Sequence, residues 1–141
     1  MKKRTHLIFA FMLFLLFNRV FGFPLLDSVF ALIGAMVPDL DLYPRSAHRK
    51  LFHNVWSLAG MVFVGMASNF MNSHIALLFS IGFVSHLISD SLTIQGVMWL
   101  WPIQKPHFSG SISTGGFKEY VVMMGMLFTI FVLFGVISIN L

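Results

Sequence analysis

Two side chains that can bind a metal ion lie one helical turn apart at the end of an apolar stretch of the sequence. His86 and Asp90 occupy positions i and i+4, which share one face of a helix, and they follow the almost entirely apolar segment Ile75–Val84. A carboxylate inside a membrane span costs about 2.5–3.5 kcal/mol unless another group compensates for its charge. A divalent cation held between the two side chains would provide that compensation.

An earlier polar stretch, Pro38–Asn54, contains two further groups of candidate ligands. Asp39 and Asp41 lie two residues apart in Pro-Asp-Leu-Asp, and His48 and His53 lie five apart in His-Arg-Lys-Leu-Phe-His. Each group taken alone also has a structural interpretation. The two aspartates are typical of a helix cap, and the histidine stretch is typical of an interfacial basic patch. His86 and Asp90 could be a structural pair. Together they predict one shared site. Imidazole and carboxylate ligands suit zinc first, and manganese or iron next, better than calcium. We expect one to three divalent ions.

The composition indicates a membrane protein. The chain has 141 residues, of which 57% are hydrophobic and only 10% are charged, and a soluble domain of this size could not bury so much apolar surface. We expect a single domain over residues 1–141, with the lipid bilayer as its main partner. The absence of cysteine excludes disulfides and thiolate ligands.

Five apolar segments predict an all-α membrane protein, a bundle of about five transmembrane helices with a short second helix. The segments are residues 1–22, Leu25–Val37, Val55–Met71, Ile75–Thr93 and Tyr120–Ile139. A crossing needs about 20 residues, so we expect the second segment to be tilted, assisted by its neighbours or partly re-entrant. The first segment has the basic start of a signal peptide, but no small-residue cleavage motif follows it. We interpret it as a retained helix.

The basic residues predict the orientation of this bundle. In a five-span arrangement, eight of the nine Lys and Arg residues lie on one side and only Arg19 lies on the other. The positive-inside rule makes the crowded side cytoplasmic, with the amino terminus inside the cell, the carboxyl terminus outside, and two functional loops, 38–54 and 94–119, in the cytoplasm. All the candidate ligands fall at this face, as do His107 and Glu119, whereas Asp27 and His74 fall toward the far face.

Five motifs in this order carry a family resemblance: RTHLIFAF, PDLD, HRKLFHN, GFVSHLISDSLTIQGVMWLWP and ISTGGFKE. Together they cover nearly the whole chain and resemble the LexA-regulated, membrane-bound metal-dependent hydrolases of the inner membrane. The most specific motif is H-x-x-x-D-x-x-T-x-x-G with its Trp-Pro, from His86 to Pro102. That family is thought to be distantly similar to zinc-dependent phospholipase C and the single-strand-specific zinc nucleases, which are helical enzymes that hydrolyse phosphate esters.

The resemblance also implies roles for individual residues. The implied metal ligands are His6, Asp39, Asp41, His53, His86 and Asp90, with His48 close by. Glu119 matches a glutamate that often ends the family pattern, which makes it a candidate catalytic residue. The chain departs from the usual H-R-x-x-T-H-S motif at Phe52 and Asn54, which replace the Thr and the Ser. Any hydrogen bond from those hydroxyls is lost.

The resulting hypothesis is a metal-dependent hydrolase that cleaves a phosphoester of a lipid or lipid-linked substrate. Asp41 or Asp90 would accept a proton from a metal-activated water. Arg49, with Arg45 and Lys50 beside it, would hold the phosphate. The alternatives are a metal or proton transport protein and a non-catalytic membrane module with a structural metal. We expect no nucleic-acid partner, and the oligomeric state stays open.

Overall fold

The computed structural model describes residues 1–40, 52–103 and 107–139, and this part of the chain is mainly helical. Its five α-helices are α1 (Lys3–Phe21), α2 (Ser28–Met36), α3 (Val55–Ala67), α4 (Ser73–Ser91) and α5 (Phe117–Ile139). Short 3-10 helices, Leu25–Asp27 and Val37–Leu40, precede and follow α2. The expected all-α membrane fold is therefore confirmed.

A small antiparallel sheet lies within the long connection between α4 and α5. Its strands are β1 (Val97–Met98) and β2 (His107–Phe108), and Val97 pairs with Phe108. The sequence predicted this connection only as an irregular loop. Trp99 follows β1, and its indole N–H donates to the Ser91 hydroxyl over 2.8 Å, which fixes the connection against the end of α4.

Three of the helices are long and apolar enough to cross a membrane. These segments are Lys3–Phe21, Ser73–Ser91 and Phe117–Gly135. The predicted span Val55–Met71 is shorter in the structure, because α3 has 13 residues. Asn69 adopts a left-handed backbone with φ 57°, and the Met71 N–H returns to the Gly65 carbonyl over 2.9 Å. Asparagine tolerates this helix-ending conformation better than most residues do.

Helix α4 lies at the centre of the bundle, where it packs against α1, α2 and α3. Its contact with α2 is close because glycines face backbone atoms. A Cβ atom at Gly34 would overlap the Phe79 carbonyl oxygen, and one at Gly82 would overlap the Ala31 carbonyl oxygen. Small residues allow helices to approach each other in this way in membranes. The main chain of α2 is therefore within reach of side chains on α4.

The chain direction places the candidate ligands at one end of the bundle. Helices α1, α3 and α5 begin at this end, and α2 and α4 finish there. Asn54 starts α3 by accepting a hydrogen bond from the Ser57 N–H over 2.9 Å. At the opposite end, Asp27 and His74 form a pair with 2.7 Å between Oδ2 and Nε2.

Candidate metal centre

Two overlapping groups of side chains that could hold a metal ion lie at the end of the bundle where α1 begins. One group contains His6, Asp39 and His86, and the other contains His53, His86 and Asp90. Within each group the ligand atoms lie within 4.8 Å of one another. The five residues come from four segments. His6 lies in α1, Asp39 lies in the 3-10 helix after α2, and His53 lies two residues before α3. His86 and Asp90 both lie in α4. His86 belongs to both groups, so they form one cluster.

The distances within the cluster match those between donors that share an ion. The Nε2 atom of His86 lies 3.1 Å from His53 Nε2, 3.7 Å from Asp39 Oδ1 and 3.8 Å from Asp90 Oδ2. His6 Nε2 lies 3.4 Å from Asp90 Oδ1. Two donors at about 2.0–2.1 Å from a tetrahedral zinc ion are roughly 3.4 Å apart. The printed separations are therefore close to those expected for donors that share a cation.

Two of the imidazoles are held by hydrogen bonds on the side away from the cluster. His86 Nδ1 lies 2.7 Å from the Ala35 carbonyl oxygen, which can only accept, so Nδ1 carries the proton. The Ser89 hydroxyl donates to the His86 carbonyl over 2.9 Å, so its oxygen accepts from His6 Nδ1 over 2.6 Å. In both residues Nε2 faces the cluster with its lone pair. Such outer contacts fix the orientation of histidine ligands.

Most of the cluster is shielded from solvent. His6, His53, His86 and Asp90 are buried, and Asp90 Oδ1 also accepts a hydrogen bond from the Met1 amino group over 2.6 Å. Placing so many polar groups inside an apolar bundle is costly unless they are paired or bind an ion.

Asp39 lies at the edge of the cluster, where its side chain is 24% exposed. A cavity of about 10 Å³, the size of about one water molecule, reaches the cluster at this edge. The cavity is lined by Lys3, His6, Ala35, Met36, Asp39 and Leu40. It gives access to His6 and Asp39 between the start of α1 and the end of α2.

Comparison with known proteins identifies the family but not a reaction. The sequence profile of the YdjM inner membrane protein matches residues 1–140. The chain belongs to the YdjM inner membrane protein family. This membership, together with the three long apolar helices, makes the protein an integral protein of the inner membrane. No curated protein and no solved structure matches the chain.

In this YdjM family member, Glu119 lies in the first turn of α5 and contacts the start of α1. Its Oε1 atom accepts from the Thr5 hydroxyl over 2.6 Å and from the Lys2 N–H over 2.7 Å, and its Oε2 atom accepts from the Gly115 N–H over 2.5 Å. Neither of the metal-capable groups among the described residues includes it. These contacts join the first turn of α1 to the first turn of α5.

The two remaining histidines of the described segments lie apart from the cluster. His107 is exposed on β2, with Nε2 at 2.8 Å from the Gln95 carbonyl oxygen. His74 pairs with Asp27 at the other end of the bundle. Several predicted residues of the first polar loop lie outside the described residues: Asp41, Arg45, His48, Arg49 and Lys50.

Sequence reasoning missed three groups that surround the YdjM family member's cluster. Ser89 follows His86 by three residues on the same helix, and this spacing was a usable signal. Lys3 lies at the cavity but is hidden within a general basic run at the start of the chain. The Ala35 carbonyl has no signal in sequence. The replacement at Asn54 has a structural explanation, because Asn caps a helix as well as Ser does.

Proposed function

We propose that this protein is a membrane-embedded, metal-dependent hydrolase that cleaves a phosphoester of a lipid or lipid-linked substrate. The observation that carries the proposal is the convergence of three imidazoles and two carboxylates, from four separate segments, at one end of an apolar bundle. Groups of this kind are rare inside membranes and usually mark a function. Their mutual distances of 3.1–3.9 Å suit a shared cation.

The metal-binding part of the proposal assigns five ligands among the described residues. They are His6, Asp39, His53, His86 and Asp90, and Asp41 and His48 stay predicted additional ligands. Zinc is our first choice for this donor set, with manganese and iron next. A bound zinc ion supplies a Lewis acid and lowers the pKa of a bound water toward about 7.

The two described carboxylates of the cluster, Asp39 and Asp90, differ in burial and in access to the cavity, and we assign them different roles. Asp90 is enclosed by the Met1 amino group and by histidines, which suits a permanent ligand. Asp39 lines the cavity beside Lys3 and His6 and is partly exposed, so its carboxylate is accessible to a water that enters the site. We therefore propose that Asp39 would coordinate the metal through one carboxylate oxygen and accept the proton through the other, with Asp41 as the neighbouring candidate, and that Glu119 positions α1 in place of a catalytic role.

The mouth of the cavity has features that suit an amphiphilic phosphate. Lys3 places a cation beside His6 and Asp39, where it would attract phosphate oxygens as a point charge. Met36 and Leu40 line the same cavity and are exposed, so they would contact an acyl chain. Arg49 stays a predicted second phosphate contact.

The positive-inside rule would place this mouth on the cytoplasmic side of the membrane. Lys2, Lys3, Arg4 and Lys118 lie at the end of the bundle that holds the cluster, and Arg19 lies near the other end of α1. Basic residues accumulate on the cytoplasmic side of membrane proteins. The substrate phosphate would then belong to the inner leaflet.

The test uses the purified full-length protein in detergent. We expect bound divalent metal, cleavage of a phospholipid or a generic phosphodiester, and loss of cleavage with a chelator. Lys3→Gln should raise KM about fivefold, since one basic residue near a membrane surface contributes about 1 kcal/mol toward an anion, and should leave metal content unchanged. Arg19→Gln removes the same charge at the far end and should leave KM unchanged.

Three other outcomes would replace the proposal. Full activity in metal-free protein would exclude a metal-dependent reaction. Stoichiometric metal without cleavage of any tested phosphoester would favour a structural metal. Metal flux into proteoliposomes that contain the protein would favour transport.

A further inference from the structure

A second polar arrangement, separate from the cluster, lies where α1 and α5 begin. The Tyr120 hydroxyl oxygen accepts hydrogen bonds from Arg4 Nη2 over 2.8 Å and from Lys2 Nζ over 3.1 Å. Both cations also lie near the tyrosine ring, at 5.1 Å and 5.3 Å from its centroid. Two positive charges thus converge on one neutral acceptor.

This pair of charges is not neutralised by an acid in the described part of the chain. None of the ion pairs there involves the Lys2 or Arg4 side chain. The adjacent acid, Glu119, is buried and directs its oxygens to Thr5, to Gly115 and to the Lys2 main chain. The exposed side of the arrangement therefore attracts an anion.

An apolar stripe runs along α5 from this arrangement. Tyr120, Met124, Leu127 and Phe131 share one helix face because they are spaced i, i+4, i+7 and i+11. Their exposed fractions are 39%, 61%, 40% and 77%. The stripe extends about 16 Å at a rise of about 1.5 Å per residue, which is about half of the ~30 Å hydrocarbon thickness of a bilayer. It matches the depth of one leaflet.

We propose that Lys2, Arg4 and Tyr120 bind the phosphate of an anionic phospholipid whose acyl chain lies along the α5 stripe. The Arg4 guanidinium offers a fork of donors to phosphate oxygens, and Lys2 adds a point charge. The Tyr120 hydroxyl accepts from both cations and keeps its own hydrogen to donate to the phosphate. The charge selects an anionic headgroup, and the stripe selects a lipid over free phosphate. This site does not depend on the proposed hydrolysis.

Native mass spectrometry of the full chain in mild detergent tests the proposal. The probes are phosphatidylglycerol, phosphatidylcholine and inorganic phosphate. We expect phosphatidylglycerol to bind about tenfold more tightly than phosphatidylcholine, and inorganic phosphate not to compete at equal concentration. Arg4→Gln should weaken phosphatidylglycerol binding about fivefold. Arg19→Gln removes the same charge at the other end of α1 and should have no effect.

Several results would overturn the site. Equal affinity for the two lipids would remove the role of the charge, and this comparison needs no variant to fold. Equal effects of Arg4→Gln and Arg19→Gln would show a general charge effect. Competition by inorganic phosphate would show that the stripe contributes nothing. A dimer that persists at all lipid concentrations and excludes lipid would show that a second copy of the chain covers the stripe. Tyr120→Phe keeps the ring and should weaken binding less than Arg4→Gln does.

Discussion

Replacing Asp90 by asparagine removes one negative charge from the cluster and keeps the size and shape of the side chain. Asp90 lies close to all three histidines of the cluster. Its Oδ1 atom lies 3.4 Å from His6 Nε2, and its Oδ2 atom lies 3.7 Å from His53 Nε2 and 3.8 Å from His86 Nε2. We therefore expect Asp90→Asn to lower the affinity of the protein for a divalent cation.

The size of the effect follows from the number of ligands. Zinc sites with four protein ligands have apparent binding free energies of about 10–16 kcal/mol, or roughly 3 kcal/mol for each ligand. An amide oxygen still coordinates weakly, so the expected loss for Asp90→Asn is about 2–3 kcal/mol. This corresponds to an increase of about 30- to 150-fold in the Kd for zinc.

Equilibrium dialysis against buffered zinc, with the metal measured by mass spectrometry, gives that Kd directly. Asp27→Asn is the matched control, because Asp27 also pairs with a histidine, the partly exposed His74, at the opposite end of the bundle. We expect the control to bind zinc within about twofold of the wild type, in contrast to the 30-fold or greater loss at Asp90.

Two results would refute the reasoning. An unchanged Kd in Asp90→Asn would mean that the cluster is not the metal site. An equal loss in Asp90→Asn and Asp27→Asn would mean that the loss reflects general damage to the membrane fold and not a missing ligand.

Three further changes test the surroundings of the cluster. Ser89→Ala removes the acceptor for His6 Nδ1 and should weaken zinc binding about 10- to 100-fold in the same dialysis assay; an unchanged Kd would contradict the orienting role. Gly82→Ala places a methyl group against the main chain of α2 and should lower the free energy of unfolding by about 1–3 kcal/mol in a denaturant titration. The control Gly60→Ala, which adds a methyl group in open space, should not destabilise the protein, and equal losses would exclude the packing explanation. Glu119→Gln should lower the free energy of unfolding by about 1–2 kcal/mol, since it weakens hydrogen bonds to a charged acceptor, and should leave kcat unchanged; a large loss of kcat in folded protein would restore a catalytic role.

Helix boundaries show where sequence patterns are informative and where they fail. The predicted segment Ile75–Thr93 and the observed helix Ser73–Ser91 agree within two residues at each end. A long apolar segment in a bilayer must satisfy its own backbone hydrogen bonds, and it does so as a helix. The predicted segment Val55–Met71 is too long, since hydropathy does not record that Asn69 turns the backbone out of the helix. Hydropathy also gave no indication of the paired strands β1 and β2.

The contacts of Glu119 depend on tertiary packing. The family resemblance made Glu119 a candidate catalytic residue, and its position in the second polar loop placed it at the same face as the other candidates. The structure starts α5 at Phe117 and directs the carboxylate to Thr5 and to the main chain. A carboxylate near a helix start is favoured by the free N–H groups there. Whether the carboxylate contacts the start of α1 or the start of its own helix depends on how α1 and α5 pack. The sequence of either segment alone does not specify that packing.

The sequence by itself determined that this is a helical membrane protein with its imidazoles and carboxylates concentrated near one face. The apolar composition indicates that the chain lies in a bilayer. The spacing of His86 and Asp90 places both side chains on one face of a helix. Only the tertiary structure decided which of the described groups meet, how His86 is oriented by the Ala35 carbonyl, and that Asp39 lines the cavity. Those relations depend on the close approach of α2 to α4, and a main-chain carbonyl is the same at every position until packing brings one of them to a side chain.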